Sequence, residues 1–92
     1  MAETGLASQY GFESGRRTAS GERFELLGMT CAMWTHAWRR VTVTVIATGR
    51  HTRCRVNSFG PTRRTGRLIN VSLGVAREFG FVRADVGKVR IE

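Results

Sequence analysis

The stretch RVTVTVIATGRHTRCRV, residues 40–56, constrains this chain more than any other. Val41, Val43 and Val45 alternate with Thr42 and Thr44. After Ala47-Thr48-Gly49-Arg50 the alternation resumes, with Thr52, Cys54 and Val56 set against His51, Arg53 and Arg55. Strand side chains point to opposite faces with a period of two. Each half therefore reads as a half-buried strand, and the pair as a β-hairpin with arginines on its outer face. A hairpin is marginal by itself in water, so further strands must cover its apolar side.

The rest of the chain supplies them. GLASQYG (5–11) is a strand between glycines, MTCAMW (29–34) a short strand or turn, and RLIN (67–70) a short apolar strand. VGKVRIE (86–92) closes the chain with Val89 and Ile91 inward and Lys88 and Arg90 outward. SLGVAREFG (72–80) predicts a short helix: Ser72 is a good N-cap, Gly80 a good stop, and Leu73, Ala76 and Phe79 form the inner stripe. FESGRRTASGER (12–23) has no periodicity and reads as a loop. Pro61, the single proline, marks a chain leaving a strand, because proline cannot continue a ladder. The expectation is a mainly β fold of five or six short strands and one short helix, arranged as a small barrel, since closure removes exposed edges. Ninety-two residues make one domain, read as 5–92 with residues 1–4 as a tail.

The formal charge is +8, and fourteen of the 15 basic residues are Arg. No acid occurs between Glu25 and Glu78, while eight arginines fall from Arg39 to Arg67. Such a field attracts anions: nucleic acid, acidic glycan or a membrane surface. No apolar run approaches 18 residues, which excludes a transmembrane helix. MAETGLASQY lacks the basic and apolar regions of a secretory signal, leaving open a cytosolic protein or one whose leader has been removed. Cys31 and Cys54 are either a disulfide, worth roughly 3 kcal/mol by loop closure, or two buried thiols. No Cys/His spacing suggests a metal.

Six segments in order then carry a resemblance: GLASQYG, GRRTASGERFE, MTCAM, RVNSFGP, GRLINVSLGVAREFG and VGKVRIE. The chain resembles, over nearly its whole length, the double-psi β-barrel domain of the rare lipoprotein A family, relatives of barwin and expansins. The resemblance implies a six-stranded barrel with a groove, a monomer in the periplasm or secreted envelope, and peptidoglycan or a related polysaccharide as partner. Some members are lytic transglycosylases that cleave between N-acetylmuramic acid and N-acetylglucosamine, with no cofactor or metal.

Cleavage of a glycan needs a proton donor at the leaving oxygen and a second group that stabilises positive charge or takes a proton. The resemblance places the acid at Glu22. The family His falls on Met33 and the family Asp on Ser58, and a second usual Asp is Asn70. Met33 transfers no proton, and Asn70 keeps the hydrogen-bonding shape without charge. His36 is the substitute base if its turn points inward. Neighbouring arginines should lower the pKa of Glu22 and make it a poorer acid. Expected ligand contacts are Tyr10, Arg17, Trp34, Asn57, Ser58, Arg63, Arg67 and Asn70. Tyr10 is either core or groove rim. Trp34 and Trp38 form either a sugar-stacking platform or part of the core, with the core favoured. The Cys-bearing segments occurring together imply neighbouring strands, a disulfide between Cys31 and Cys54, and an oxidising compartment.

The expectation is a glycan-binding domain with weak or no cleavage. An active transglycosylase that uses Glu22 is the alternative. A basic nucleic-acid-binding barrel is the weaker third reading, because no recognisable nucleic-acid module accompanies the arginines.

Overall fold

The computed structural model describes residues 2–10, 16–80 and 85–92. The barrel wall is built from β1 (Glu3–Gln9), β2 (Thr30–Ala32), β3 (Arg40–Val45), β4 (His51–Ser58), β5 (Ile69–Val71) and β6 (Asp85–Ile91). Their order around the closed wall is β1-β5-β2-β4-β3-β6. β1 runs parallel to β5 and β2 parallel to β4, and every other neighbour is antiparallel. The helix α1 (Leu73–Glu78) and a 3-10 turn at Arg63–Thr65 complete the regular structure among the described residues.

The hairpin forms as its alternation requires. Val41 lies opposite Cys54 and Val43 opposite Thr52, and the turn passes through Gly49 at φ 75°, a left-handed conformation that glycine adopts without strain. Val41, Val43, Val45, Cys54 and Val56 are buried inside the barrel with Val89 and Ile91 of β6. β1 starts ahead of residue 5: Glu3 and Thr4 already pair with Ile91 and Arg90. Gly11, expected to end that strand, lies outside the described residues, and the loop expected over 12–23 is described from Arg16 onward.

Ser72 caps α1 by accepting a hydrogen bond from the Val75 amide at 3.2 Å, and its own hydroxyl donates to the Gly28 carbonyl at 2.5 Å. The buried face of α1 differs from the expected stripe. Ala76 and Phe79 are inside, but Leu73 is only half-buried, and Gly74 and Val75 are buried instead. The reason is close approach. A Cβ on Gly74 would stand 2.4 Å from the Leu27 carbonyl oxygen, so the helix lies directly on the backbone of the loop before β2.

A second, smaller apolar cluster forms outside the barrel. Ala32 alternates with the core residues Cys31 and Met33, so it faces outward. Tyr10 and Phe24 cover it, with Leu26 packed against them. This cluster anchors the loop that carries Glu22.

Candidate functional site

Four positions line up across four adjacent strands. Ser8 of β1 is level with Asn70 of β5, Asn70 with Ala32 of β2, and Ala32 with Ser58 of β4. On the outer face of the barrel this row marks the candidate groove, with Ser8 and Ala32 buried and Asn70 and Ser58 half-buried. The Ser8 hydroxyl donates to Asn70 Oδ1 at 2.5 Å, which fixes the amide. Gly60 closes over this row: a Cβ there would be 3.7 Å from Asn70 Nδ2 and 3.8 Å from the Ala32 Cβ.

The loop Arg16–Glu22 forms one bank. Arg17 and Arg23 meet in a bridge, and the Thr18 amide donates to the Glu22 carbonyl at 2.8 Å. The loop is sewn to β4 by two bonds: the Ser20 amide to the Asn57 carbonyl at 3.1 Å, and the Ala19 amide to Ser58 Oγ at 3.3 Å. Ser58 therefore serves as a hydrogen-bond acceptor for the loop backbone.

Glu22 lies at the end of this loop and is not free. Both of its oxygens accept from the Arg55 guanidinium, the Oε1 contact at 2.7 Å, and the Ser20 hydroxyl donates to Oε1 at 2.6 Å. The Arg55 bonds, with help from Ser20, hold the carboxyl down at about 2. Glu22 is thus a carboxylate throughout the neutral range, as the arginine-rich sequence led one to expect.

The other bank is aromatic. Trp34 and Phe59 stack with centroids 5.8 Å apart and planes 5° apart, and Trp38 leans on Phe59 at 5.5 Å. The Trp34 indole N–H donates to the Pro61 carbonyl at 2.5 Å, and the Arg63 guanidinium lies 4.7 Å from the Trp34 ring centroid. Trp34, Trp38 and Phe59 are 45%, 46% and 46% exposed. This corrects the preference for placing both tryptophans in the core. The core was already full of valines, and the turn Trp34–Arg39 carries both rings onto the surface. Trp38 has φ 65°, a conformation that bulky side chains rarely adopt, and that backbone sets its ring against Phe59. Beside Trp34 opens a cavity of about 400 Å³, lined among others by Glu3, Arg63, Arg67 and Leu68.

Several expected site residues sit elsewhere. Met33 is completely buried in the barrel core, where only its backbone amide, donating to the Ser58 carbonyl at 3.2 Å, touches the site. His36 does not replace it: the ring bonds Glu3 at 2.6 Å, at the start of β1. Tyr10 is 7% exposed, stacked on Phe24 rather than open to the groove, and burial pushes its hydroxyl up to about 12. Asn57 is buried, Arg17 donates to the Gly21 carbonyl, and Arg63 and Arg67 line the cavity. Cys31 and Cys54 are buried free thiols with sulfurs 2.6 Å apart.

The sequence reading passed over Arg55 as an outer-face charge and did not single out Phe59. The spacing Glu22–Arg55 carries no local signal. Phe59 sits beside Gly60-Pro61, where a large apolar residue leaving a strand could have been noticed. Among the described residues, no group of three or more His, Cys, Asp or Glu side chains comes together to hold a metal.

Comparison with known proteins bears on this geometry. A family model described as lytic transglycolase matches residues 2–91. The chain belongs to the RlpA-like family of double-psi β-barrels. It is 44% identical over 92 residues to a probable endolytic peptidoglycan transglycosylase RlpA of a Nostoc species, covering 96% of this chain and 24% of the relative. It is 38% identical over 96 residues to the endolytic peptidoglycan transglycosylase RlpA of Neisseria meningitidis, covering 39% of that protein. The Vibrio cholerae RlpA shares 39% identity over 94 residues, and the chain spans 35% of it. The chain thus spans well under half the length of these RlpA relatives. No helix among the described residues is long and apolar enough to cross a membrane.

Proposed function

We propose that this RlpA-like domain acts in the bacterial envelope by binding peptidoglycan glycan strands along the groove, with weak or no cleavage. The observation that carries the second half is the state of Glu22. A carboxyl gripped on both oxygens by Arg55 is held below the ordinary carboxylate range and is a poorer proton donor to a leaving oxygen. The positions where the family resemblance expects the groups that share the chemistry are here a buried Met33 and Ser58, which accepts from the Ala19 amide. A two-carboxyl mechanism cannot run on one pinned carboxylate.

Binding is supported by the aromatic bank. Three rings nearly half exposed, side by side at the edge of a polar floor, present flat apolar faces of the kind that pyranose rings pack on. Asn70, Ser58 and Arg63 supply hydrogen-bond partners beside them. The named activity of the relatives points to the polymer.

Co-sedimentation of the domain with purified sacculi tests the binding. Salt-sensitive pull-down is expected, because arginines contribute. No pull-down even at low ionic strength contradicts the reading.

The second reading is an active transglycosylase. It is favoured by the retention of Glu22, part-exposed in the TASGE segment. Release of anhydro-muropeptides that Glu22→Gln abolishes would establish it in place of the first.

A further inference from the structure

The candidate groove occupies β1, β5, β2 and the last residue of β4, so the other part of the wall, β6-β3-β4, has an outer face of its own. Val41, Val43 and Val45 point into the core, so Arg40, Thr42 and Thr44 point out. By the same alternation His51, Arg53 and Arg55 of β4 point out, as do Lys88 and Arg90 of β6. The register makes a grid of them. Arg40 lies opposite Arg55, Thr42 opposite Arg53, and Thr44 between His51 on one side and Arg90 on the other. Two half-buried threonines thus run up the centre, with basic side chains on both flanks. Three strands make the face about 10 Å wide.

The face is open, and most of its charge is unpaired. Arg40, His51, Arg53, Lys88 and Arg90 are exposed. Arg55 is held by Glu22 at one edge, and Arg90 by Glu92 at 3.2 Å. Arg40, Arg53 and Lys88 have no ion-pair partner among the described residues. Where β3 ends, Ile46 follows the last inward valine and turns out. Its amide donates to the Lys88 carbonyl at 3.1 Å, and its side chain is 49% exposed.

This combination selects a partner. Unpaired cations on three strands spread a positive field over an area rather than along a line, which suits an anionic surface. The central hydroxyls add donors for phosphate oxygens beside the guanidinium groups. A soluble phosphate polymer is held by cations and has no use for Ile46. The boundary between lipid headgroups and acyl chains takes an apolar side chain favourably.

We propose that the β6-β3-β4 face docks this domain on an anionic phospholipid surface, with Arg40, Arg53 and Lys88 against the headgroup phosphates and Ile46 at the apolar boundary. The proposal stands apart from the groove reading. Ser8, Asn70 and Ala32 lie on strands that the face does not include, so a docked domain keeps its groove side open.

Co-sedimentation with vesicles tests it, using phosphatidylcholine alone and phosphatidylcholine with one third phosphatidylglycerol. Wild type should bind the anionic vesicles, less so as salt rises, and leave the neutral ones alone. Arg53→Gln/Lys88→Gln removes two exposed cations and leaves the Glu22–Arg55 pair intact. It should bind the anionic vesicles about 30-fold more weakly, from about fivefold for each cation. Ile46→Ser should weaken vesicle binding several-fold and leave binding to a soluble polyphosphate unchanged. All three altered side chains are exposed, so the fold is retained. No preference for anionic vesicles even at low ionic strength, or equal binding by the double variant, overturns the proposal. Tighter binding of polyphosphate or duplex DNA than of the vesicles, or full vesicle binding by Ile46→Ser, overturns the lipid assignment. Soluble glycan strands should not displace the vesicle-bound domain; displacement would put both ligands on one site and overturn the separation of face and groove.

Discussion

Arg55 holds both carboxylate oxygens of Glu22, across 33 positions of sequence. The contact joins the loop of one bank to the outer face of β4. It also holds Glu22 as an anion.

The pair makes stability depend on acid pH in a defined direction. The folded-state value of Glu22, about 2, lies below its ordinary 4.5. A carboxyl lowered in the folded state adds stability above its unfolded value, and that contribution is lost as pH falls through the folded one. Wild type should therefore lose stability between pH 4.5 and about 2 more steeply than Arg55→Gln. Carboxyl-detected titration should show Glu22 returning toward its ordinary range in that variant. A Glu22 that still titrates near 2 without Arg55 would contradict the account.

Ser58→Asp places a carboxylate where the family resemblance expects one and leaves an acceptor for the Ala19 amide. It should fold normally and still release no anhydro-muropeptides, because Glu22 remains on Arg55 and Met33 remains buried. Turnover in this single variant would show that Ser58 is the sole block.

Phe59→Ala and Trp38→Ala remove exposed rings and should leave the melting temperature little changed. Sacculus binding should weaken several-fold, since one aromatic contact is worth about 0.5–1.5 kcal/mol. Unchanged binding in both variants would remove the aromatic bank from the ligand site.

Gly74→Ala tests the seat of the helix under the Glu22 loop. The added Cβ meets the Leu27 carbonyl, backbone that cannot swing aside, so a loss of roughly 1–3 kcal/mol is expected in denaturant melts. A neutral substitution would mean that α1 can shift away from the loop.

Cys31 and Cys54 should form a disulfide when the chain folds with oxidised glutathione, the two thiols giving up two protons and two electrons and the glutathione disulfide being reduced to two glutathione thiols. In the folded state reaction should be slow: contact with Cys54 and burial push the Cys31 thiol far up, and the thiolate is the reacting form. Intact mass under non-reducing conditions reads the loss of two hydrogens. Rapid modification of the native thiols by an alkylating reagent would contradict the burial.

The barrel was legible because its strands announce themselves. The Val/Thr alternation of β3, the return through Cys54 and Val56, and Val89 and Ile91 of β6 all face as the period of two requires. The cap at Ser72 was equally plain. What escaped were features set by distant pairings. The Trp34 and Trp38 rings look like core filler until the barrel is seen to be filled by smaller side chains. Val75 replaces Leu73 inside α1 because Gly74 lets the helix touch Leu27, in a loop 47 positions earlier in the chain. The Glu22–Arg55 pair joins a loop to a strand across 33 positions, which side-chain type does not report. The candidate site was visible chiefly through the family resemblance, which pointed to Glu22, Ser58 and Asn70 but not to Arg55, the partner of Glu22.

We propose that this domain holds its glycan with little or no cutting. Digestion of purified sacculi by wild type, with soluble products resolved by mass, tests this most directly. The expected result is protein retained on the sacculi with few or no anhydro-muropeptides in the supernatant. Accumulating anhydro-muropeptides that disappear with Glu22→Gln would contradict it.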